Sequence, residues 1–260
     1  MKPTDRQRAI LDLVRHRDTS VEELGAALGV SEATVRRDLS LLAQQRRLVR
    51  THGGATALIG THEPEASLEE RNASHREEKM AIARAAAAHI REGDSIFLDS
   101  GTTCAALAAH LRTLQNLHVI TNNLLALTAL ANAPGVRITL IGGDLRSTGM
   151  STFGPLAELS LSRLSFDRAF LGADGVVAGF GLCEANAQQA YLKECVIRRA
   201  AEVYILADAE KLGRARQQHW TPLEREWRLI TSTPDERTLE PFRQLPMATV
   251  ELAPASSSAR

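Results

Sequence analysis

Aromatic side chains make up only 4% of this 260-residue chain, and its first 60 positions hold no Phe, Tyr or Trp. Unpaired RNA bases are recognised largely by stacking on such rings, so an RNA-binding module at the amino end is excluded. Cysteine is as sparse: Cys104, Cys183 and Cys195 are odd in number and far apart, with no CxxC pair and no histidine at zinc-ligand spacing. That excludes a disulfide framework and a zinc site; three reduced residues in the core or near a site remain, and no metal or cofactor is expected. No apolar run approaches the roughly 20 residues that cross a bilayer. The amino-terminal "MKPTDRQRAILDLVRHR" scatters charges through its apolar positions, which excludes a signal peptide. A cytoplasmic protein with no membrane partner is expected. Neither sign of charge prevails, since 31 Lys and Arg balance 31 Asp and Glu. What is present, 44% hydrophobic and 24% charged residues, is the composition of a folded globular chain with room for one large core and a small satellite module.

The zero net charge conceals a local bias. Between Arg36 and Gly54 stand five arginines and one acid, Asp38. Over residues 5 to 17, Ile10, Leu11, Leu13 and Val14 make one apolar helical stripe. "TSVEELGAALGV" then opens with Ser20 and Glu23 at capping-box spacing and runs to Leu28, where Gly29 suits a left-handed stop. Ser31 can cap a third helix in which Val35, Leu39 and Leu42 face inward. Helix, glycine turn, helix is a helix-turn-helix pattern, and its recognition helix enters the major groove of DNA by its amino-terminal end. On that end Ser31, Glu32, Ala33, Thr34, Arg36 and Arg37 are the candidate contacts. One arginine suits a guanine edge and the other a phosphate, in either assignment, and Thr34 suits a thymine or a phosphate. An isolated arginine pair is ordinarily a solvated face. The following "RRLVRTHGGA" weighs against that here, because it reads as a strand and a turn at Gly53 and Gly54, a small wing bringing Arg46, Arg47 and Arg50 to the phosphates.

"VEELGAALGVSEATVRRDLSLLAQQRRLVRTHGGA" resembles the winged helix-turn-helix of the DeoR/GlpR family of bacterial sugar-catabolism regulators, down to T-x-R-R-D-L and the terminal H-G-G-A. The resemblance implies duplex operator DNA as a partner and adds His52 to the candidate contacts.

From Thr56 to His75 the periodicity is lost, and the run reads as an interdomain connection. The expected division is a DNA-binding domain over 1–57, a linker over 58–76, an effector domain over 77–252 and a disordered tail over 253–260. In the effector domain "SIFLD", "LHVIT", "VRITLIG", "RAFLG", "VYILAD" and "WRLIT" alternate with alanine- and leucine-rich helical stretches, which implies an α/β fold with a largely parallel sheet. One more helix and an edge strand follow before the tail. Ligands bind outside the carboxyl ends of such strands, and polar residues collect there. Asp99, Ser100, Gly101, Thr102 and Thr103 lead from a strand into a helix and offer hydroxyls and amide donors to an anion, phosphate above all. A tight turn uses the same small residues. Thr121, Asn122 and Asn123 end the next strand; Gly142, Gly143, Asp144, Arg146 and Gly149 form a loop able to close over a ligand; Gly172, Asp174 and Gly175, then Asp208, Lys211 and Arg214, complete the set. Hydroxyl-seeking acids and amides beside phosphate-seeking bases suit a phosphorylated sugar or polyol.

This half is also similar to the family. "EEKMAIA", "LDSGTT", "ITNN", "IGGDLRS", "FLGADGV" and "LADAEKLGR" match successive motifs of its effector domain, which implies the fold of ribose-5-phosphate isomerase and CoA transferases and a phosphorylated sugar or related metabolite as ligand. One segment departs. Where many relatives carry T-T-x-N and then E-A-x-x-K, this chain has "CEANAQQAYLK": Cys183 and Glu184 replace the threonines, Gln189 replaces the glutamate, and Lys193 is kept. The ligand is expected to differ accordingly, or Glu184 supplies the acid from the loop. A sugar-phosphate isomerase is the competing reading, but such an enzyme has no use for the amino-terminal module, and Gln189 cannot act as a general base. The expectation is a repressor that is not an enzyme, working as a homodimer or homotetramer.

Overall fold

Helix α1 (Pro3–Val14) opens the computed structural model, which describes residues 2–14, 19–45, 47–51, 54–57 and 65–254; side chains of 49–51, 56 and 57 are not described. Arg46, His52 and Gly53 therefore lie outside the described residues, as do the side chain of Arg50, part of the expected linker and the tail from 255. After α1 come β1 (Thr19–Ser20), α2 (Val21–Leu28), α3 (Glu32–Gln44), β2 (Leu48–Thr51) and β3 (Gly54–Ala57). Ser20 and Glu23 form the capping box on α2, and Gly29 takes the left-handed conformation (φ 63°) that lets the chain turn into α3. Ile10, Val14, Leu24, Val35, Leu39, Leu42 and Leu48 pack into a core of their own. Leu13 departs from the expected stripe: it is 38% exposed, at the margin of the buried face that Ile10 and Val14 occupy. The wing is an antiparallel sheet in the order β1-β3-β2, with Thr51 opposite Gly54. Gly54 is thus a strand residue, where a pure turn was expected.

The larger half begins with α4 (Leu68–Ala73), a short helix inside the stretch read as connection, closed by a second capping box between Ser67 and Glu70. Then follow α5 (Arg76–Ala87), β4 (Ser95–Leu98), α6 (Thr102–His110), β5 (Leu117–Thr121), α7 (Leu124–Leu130), β6 (Val136–Leu140), β7 (Asp144–Arg146), β8 (Ser151–Phe153), α8 (Pro155–Leu161), β9 (Phe166–Leu171), β10 (Gly175–Val177), β11 (Gly181–Glu184), α9 (Ala187–Ile197), β12 (Ala200–Leu206), β13 (His219–Thr221), β14 (Trp227–Thr231), α10 (Glu236–Arg243) and β15 (Ala248–Leu252). Seven strands form one parallel sheet in the order β15-β14-β12-β9-β4-β5-β6, with β15 at the edge as expected. Both faces are covered. Along β4, Ile96 and Leu98 join the cluster under α5, α6 and α7, while Phe97 joins the one under α8, α9 and α10. The supposed closing loop at 142–149 is a hairpin, β7 against β8, with a 3-10 turn at Ser147–Gly149. Gly143 serves the hairpin: a Cβ there would lie 2.2 Å from the carbonyl oxygen of Phe153.

Candidate functional site

On α3 the inward residues leave Ser31, Glu32, Ala33, Arg36 and Arg37 exposed and Thr34 half-buried. Ser31 Oγ accepts from the Thr34 amide at 3.4 Å and lies 3.0 Å from Thr34 Oγ1, so the threonine hydroxyl is engaged in the cap and its methyl is left outward. Arg36 donates to Glu32 at 2.7 Å across one helical turn, an exposed and therefore weak pair. Arg37 has no ion pair among the described residues, which separates two arginines that the sequence left equivalent. Asp38 is withdrawn from the face altogether. It is buried and accepts from Arg6 Nε at 2.5 Å and Gln7 Nε2 at 3.4 Å, so it clamps α1 to α3 and is kept away from the arginine face, where Glu32 stands.

In the larger half a cavity of about 400 Å³ opens at the carboxyl ends of the central strands. The β4–α6 turn contributes Ser100, Gly101, Thr102 and Thr103. Gly101 holds the N-cap of α6 at φ 104° and supplies no side-chain cap, so the first amide donors of the helix have no capping acceptor. Gly172 and Asp174 follow β9, and Asp208, Lys211 and Arg214 follow β12. Two acceptor atoms among the lining residues, Asp208 Oδ1 and Gln189 Oε1, are buried without a hydrogen-bond partner.

Lys193 and Glu184 meet at the cavity as neighbours in a buried triad. The Lys193 ammonium donates to Glu184 and, at 2.7 Å, to the Gly172 carbonyl, and it lies 3.1 Å from Asp99. Burial pushes the Glu184 carboxyl up to about 8, with Lys193 pulling it back. Burial acts to lower Lys193, but Asp99 and Glu184 outweigh it and hold the ammonium above its usual range. One lysine thus serves two carboxylates. Burial also pushes the Cys183 thiol up to about 12, and all three cysteines are free and buried, as expected of inert residues.

Not every expected ligand residue reaches the cavity wall. Ser100, Gly101, Thr102, Thr103, Asp174, Glu184, Lys193 and Lys211 do. Asp99, Thr121, Asn122, Asn123, Gly143, Arg146 and Gly175 lie behind it or beside it. Asp99 accepts from the Gly172 amide at 3.2 Å. Thr121 donates to the Leu98 carbonyl at 2.6 Å, and Asn122 to that of Thr152 at 3.3 Å. Asn123 caps α7 through its oxygen and donates to the carbonyls of Asp99 and Gly101, both at 3.0 Å, so it shapes the β4–α6 turn from outside. Gly175 makes room for the chain after β12, since a Cβ would lie 1.9 Å from the Arg214 carbonyl oxygen. Arg146 turns to Glu65. Conversely, Arg71, Ser74, His75 and Lys79, from α4, its exit and the start of α5, line the cavity and were not expected. Lys79 is buried and donates to the carbonyls of Arg71 and, at 2.7 Å, Ser74; burial and then Lys211 hold its pKa below the usual range.

Comparison with known proteins gives both halves a family. Residues 6–59 match the DeoR-like helix-turn-helix domain and residues 74–233 the DeoR C terminal sensor domain. The uncharacterized HTH-type transcriptional regulator YulB of Bacillus subtilis is 36% identical over 90% of this chain and 90% of its own. The glycerol-3-phosphate regulon repressor of Escherichia coli is 35% identical over 82% of this chain and 84% of its own. Among solved structures, a D-ribose-5-phosphate isomerase aligns with 51% of this chain and 52% of its own at a TM-score of 0.38 and 18% identity.

Proposed function

The chain belongs to the DeoR family of transcriptional regulators, and on that premise we propose that it represses a carbohydrate-catabolism operon until a phosphorylated sugar or polyol enters the cavity. The observation that carries this reading is the pairing, in one cavity, of an uncapped helix start with unspent acceptors. The amide donors at Thr102 and Thr103, beside Lys211 and Arg214, suit a phosphate. Asp208 Oδ1 and Gln189 Oε1 are acceptors in want of donors, which sugar hydroxyls are. No helix among the described residues is long and apolar enough to cross a membrane, and no group of His, Cys, Asp and Glu among them is arranged to hold a metal ion. The family's members named above are transcriptional regulators, and an amide at 189 offers no base for isomerisation.

A thermal-shift comparison of sugar phosphates with their unphosphorylated parents tests the ligand class. A ligand at 100 times its dissociation constant stabilises by about 2.7 kcal/mol, and the parents are expected to give no shift. Thr102→Asp puts a carboxylate where the phosphate is placed; it should abolish the shift, and a full response from that variant would refute the anion site.

For the other half we propose Ser31, Glu32, Ala33, Thr34, Arg36 and Arg37 as the groove contacts, with Arg46, Arg47, Arg50 and His52 at the backbone. A single winged helix covers one half-site, so a homodimer or homotetramer built by the larger half is implied. Arg37→Ala should weaken operator binding by roughly 1–3 kcal/mol if that side chain reads a base. Equal loss on operator and random DNA in a fluorescence anisotropy titration would make Arg37 a phosphate contact. Arg36→Ala is expected to cost less, because Arg36 must leave Glu32 to bind.

A further inference from the structure

Glu65 spends its carboxylate on two arginines from different elements. Its Oε2 accepts from Nη2 of Arg146 on β7, and its Oε1 lies 3.4 Å from Nη1 of Arg71 on α4. The three side chains are only 12% to 20% exposed. Even so the grip is unfinished, since Arg71 Nε and Arg146 Nη1 are buried with no acceptor and Glu65 Oε1 is buried with no hydrogen-bond donor. One carboxylate thus fits the two guanidinium groups imperfectly, whereas a phosphate brings three acceptor oxygens and more charge. Both arginines belong to the cavity's surroundings: Arg71 lines it, and Arg146 feels the charges of Asp174 and Glu184, which line it too. Arg71 is also fixed over the anion turn. Its carbonyl accepts from Thr102 Oγ1 at 3.4 Å and from Lys79, and its Nη2 donates to the Thr148 carbonyl at 2.5 Å.

We propose that Arg71 and Arg146 form an oxyanion subsite that Glu65 fills from within the chain in the ligand-free protein, and that the ligand's phosphate takes over, releasing Glu65. The proposal rests on the reading of the cavity as a phosphate site. It exchanges one charge-assisted pair for another, so neither guanidinium is left without an anion, and the phosphate's further oxygens take donors that Glu65 leaves unmatched. It also sets a threshold, because a ligand competing with an internal occupant binds more weakly by the fraction of molecules in which the subsite is free. In sequence Glu65 stands eight residues after Ala57, the last residue of the wing strand. Its release therefore frees the residue with which the described chain of the larger half begins.

The test uses the full chain, with inorganic phosphate as the calorimetric probe. Glu65→Gln keeps the shape of the occupant and weakens its hold, so phosphate should bind about tenfold tighter. Glu210→Gln removes a cavity carboxylate that engages His75 and neither arginine; it measures the effect of charge alone, and its gain should be clearly smaller than that of Glu65→Gln. A second readout is cleavage after Glu65 by a glutamate-specific protease. It should be slow in the phosphate-free protein, accelerated by saturating phosphate, and fast without phosphate in Arg146→Ala. Unchanged or weaker phosphate binding by Glu65→Gln, an equal gain in Glu210→Gln, or protection by phosphate would overturn the proposal while leaving the cavity reading intact. If neither the wild type nor Glu65→Gln responds to phosphate or to any sugar phosphate, the cavity reading falls and this proposal with it.

Discussion

Lys193→Met should destabilise the larger half by about 3–5 kcal/mol, the cost of stranding a buried charge by removing its partner. The ammonium is 3% exposed and meets Glu184, Asp99 and the Gly172 carbonyl at once. Methionine fills much of the same volume but compensates no charge, so the loss is electrostatic and not a matter of packing. Adding Glu184→Met removes one of the stranded carboxylates and should restore much of the loss, because an apolar pair can replace a buried ion pair at little cost. Urea unfolding of the two variants at about pH 9, above the Glu184 value of about 8, where that carboxylate is ionised in the wild type, is the measurement. A single variant within about 0.5 kcal/mol of wild type would mean that the triad is not buried as described.

The same triad gives the protein a pH dependence whose sign can be worked out. Burial raises the Glu184 carboxyl to about 8 from an ordinary 4.5, so between those values the folded state holds a proton that the unfolded state has released. Stability from this group is full below about 4.5 and is lost as pH rises towards 8. Lysine 193 restrains the shift. In Lys193→Met the decline should therefore keep the same slope, about 1.4 kcal/mol per pH unit for one proton, and continue to higher pH; a decline that ends at the same pH in the two proteins would contradict the assignment.

The central sheet was legible because its strands are buried on both faces and so read as unbroken apolar runs, "SIFL" and "VYIL" among them. Strands of three or four residues bounded by glycine, such as β7, β8 and β10, carry no such run. Helix α4 was missed because none of its residues is buried, which leaves no apolar stripe to detect; the Ser67 and Glu70 capping box was in the sequence all the same. Asp38 was legible too. Positions 35, 38, 39 and 42 fall at i, i+3, i+4 and i+7, which puts the acid on the buried face with Val35, Leu39 and Leu42. At the strand ends the sequence placed polar residues around the cavity but not the direction of each side chain. Asn123 is the case in point: a helix cap, a support for the β4–α6 turn and a ligand contact all favour the same residue, and in the structure it makes the first two.

Gly54→Ala should abolish operator binding and leave the response to sugar phosphates intact. In the wing, β1 crosses β3 with Ser20 opposite Gly54, and a Cβ on Gly54 would stand 2.0 Å from the Thr19 carbonyl oxygen, 2.8 Å from its carbon and 2.9 Å from Ser20 Cα. These are backbone atoms, so no rotamer change relieves the clash and β1 must leave the sheet. Ser20 is also the cap of α2, so the displacement costs about 0.5–2 kcal/mol in capping beyond roughly 1–3 kcal/mol of overpacking strain. A module of this size has of order 5 kcal/mol to lose. Its apolar cluster, from Ile10 to Ala55, is separate from the two that flank the large sheet, so the damage should stay local. Calorimetry should then show one early transition and one unchanged, and gel shift on DNA selected from genomic fragments should show no complex. Retained binding within about threefold would mean that the wing tolerates a side chain where β1 crosses it. A lost ligand response would mean that the two halves do not fold independently, and that the wing's glycine supports more of the molecule than the DNA-binding face.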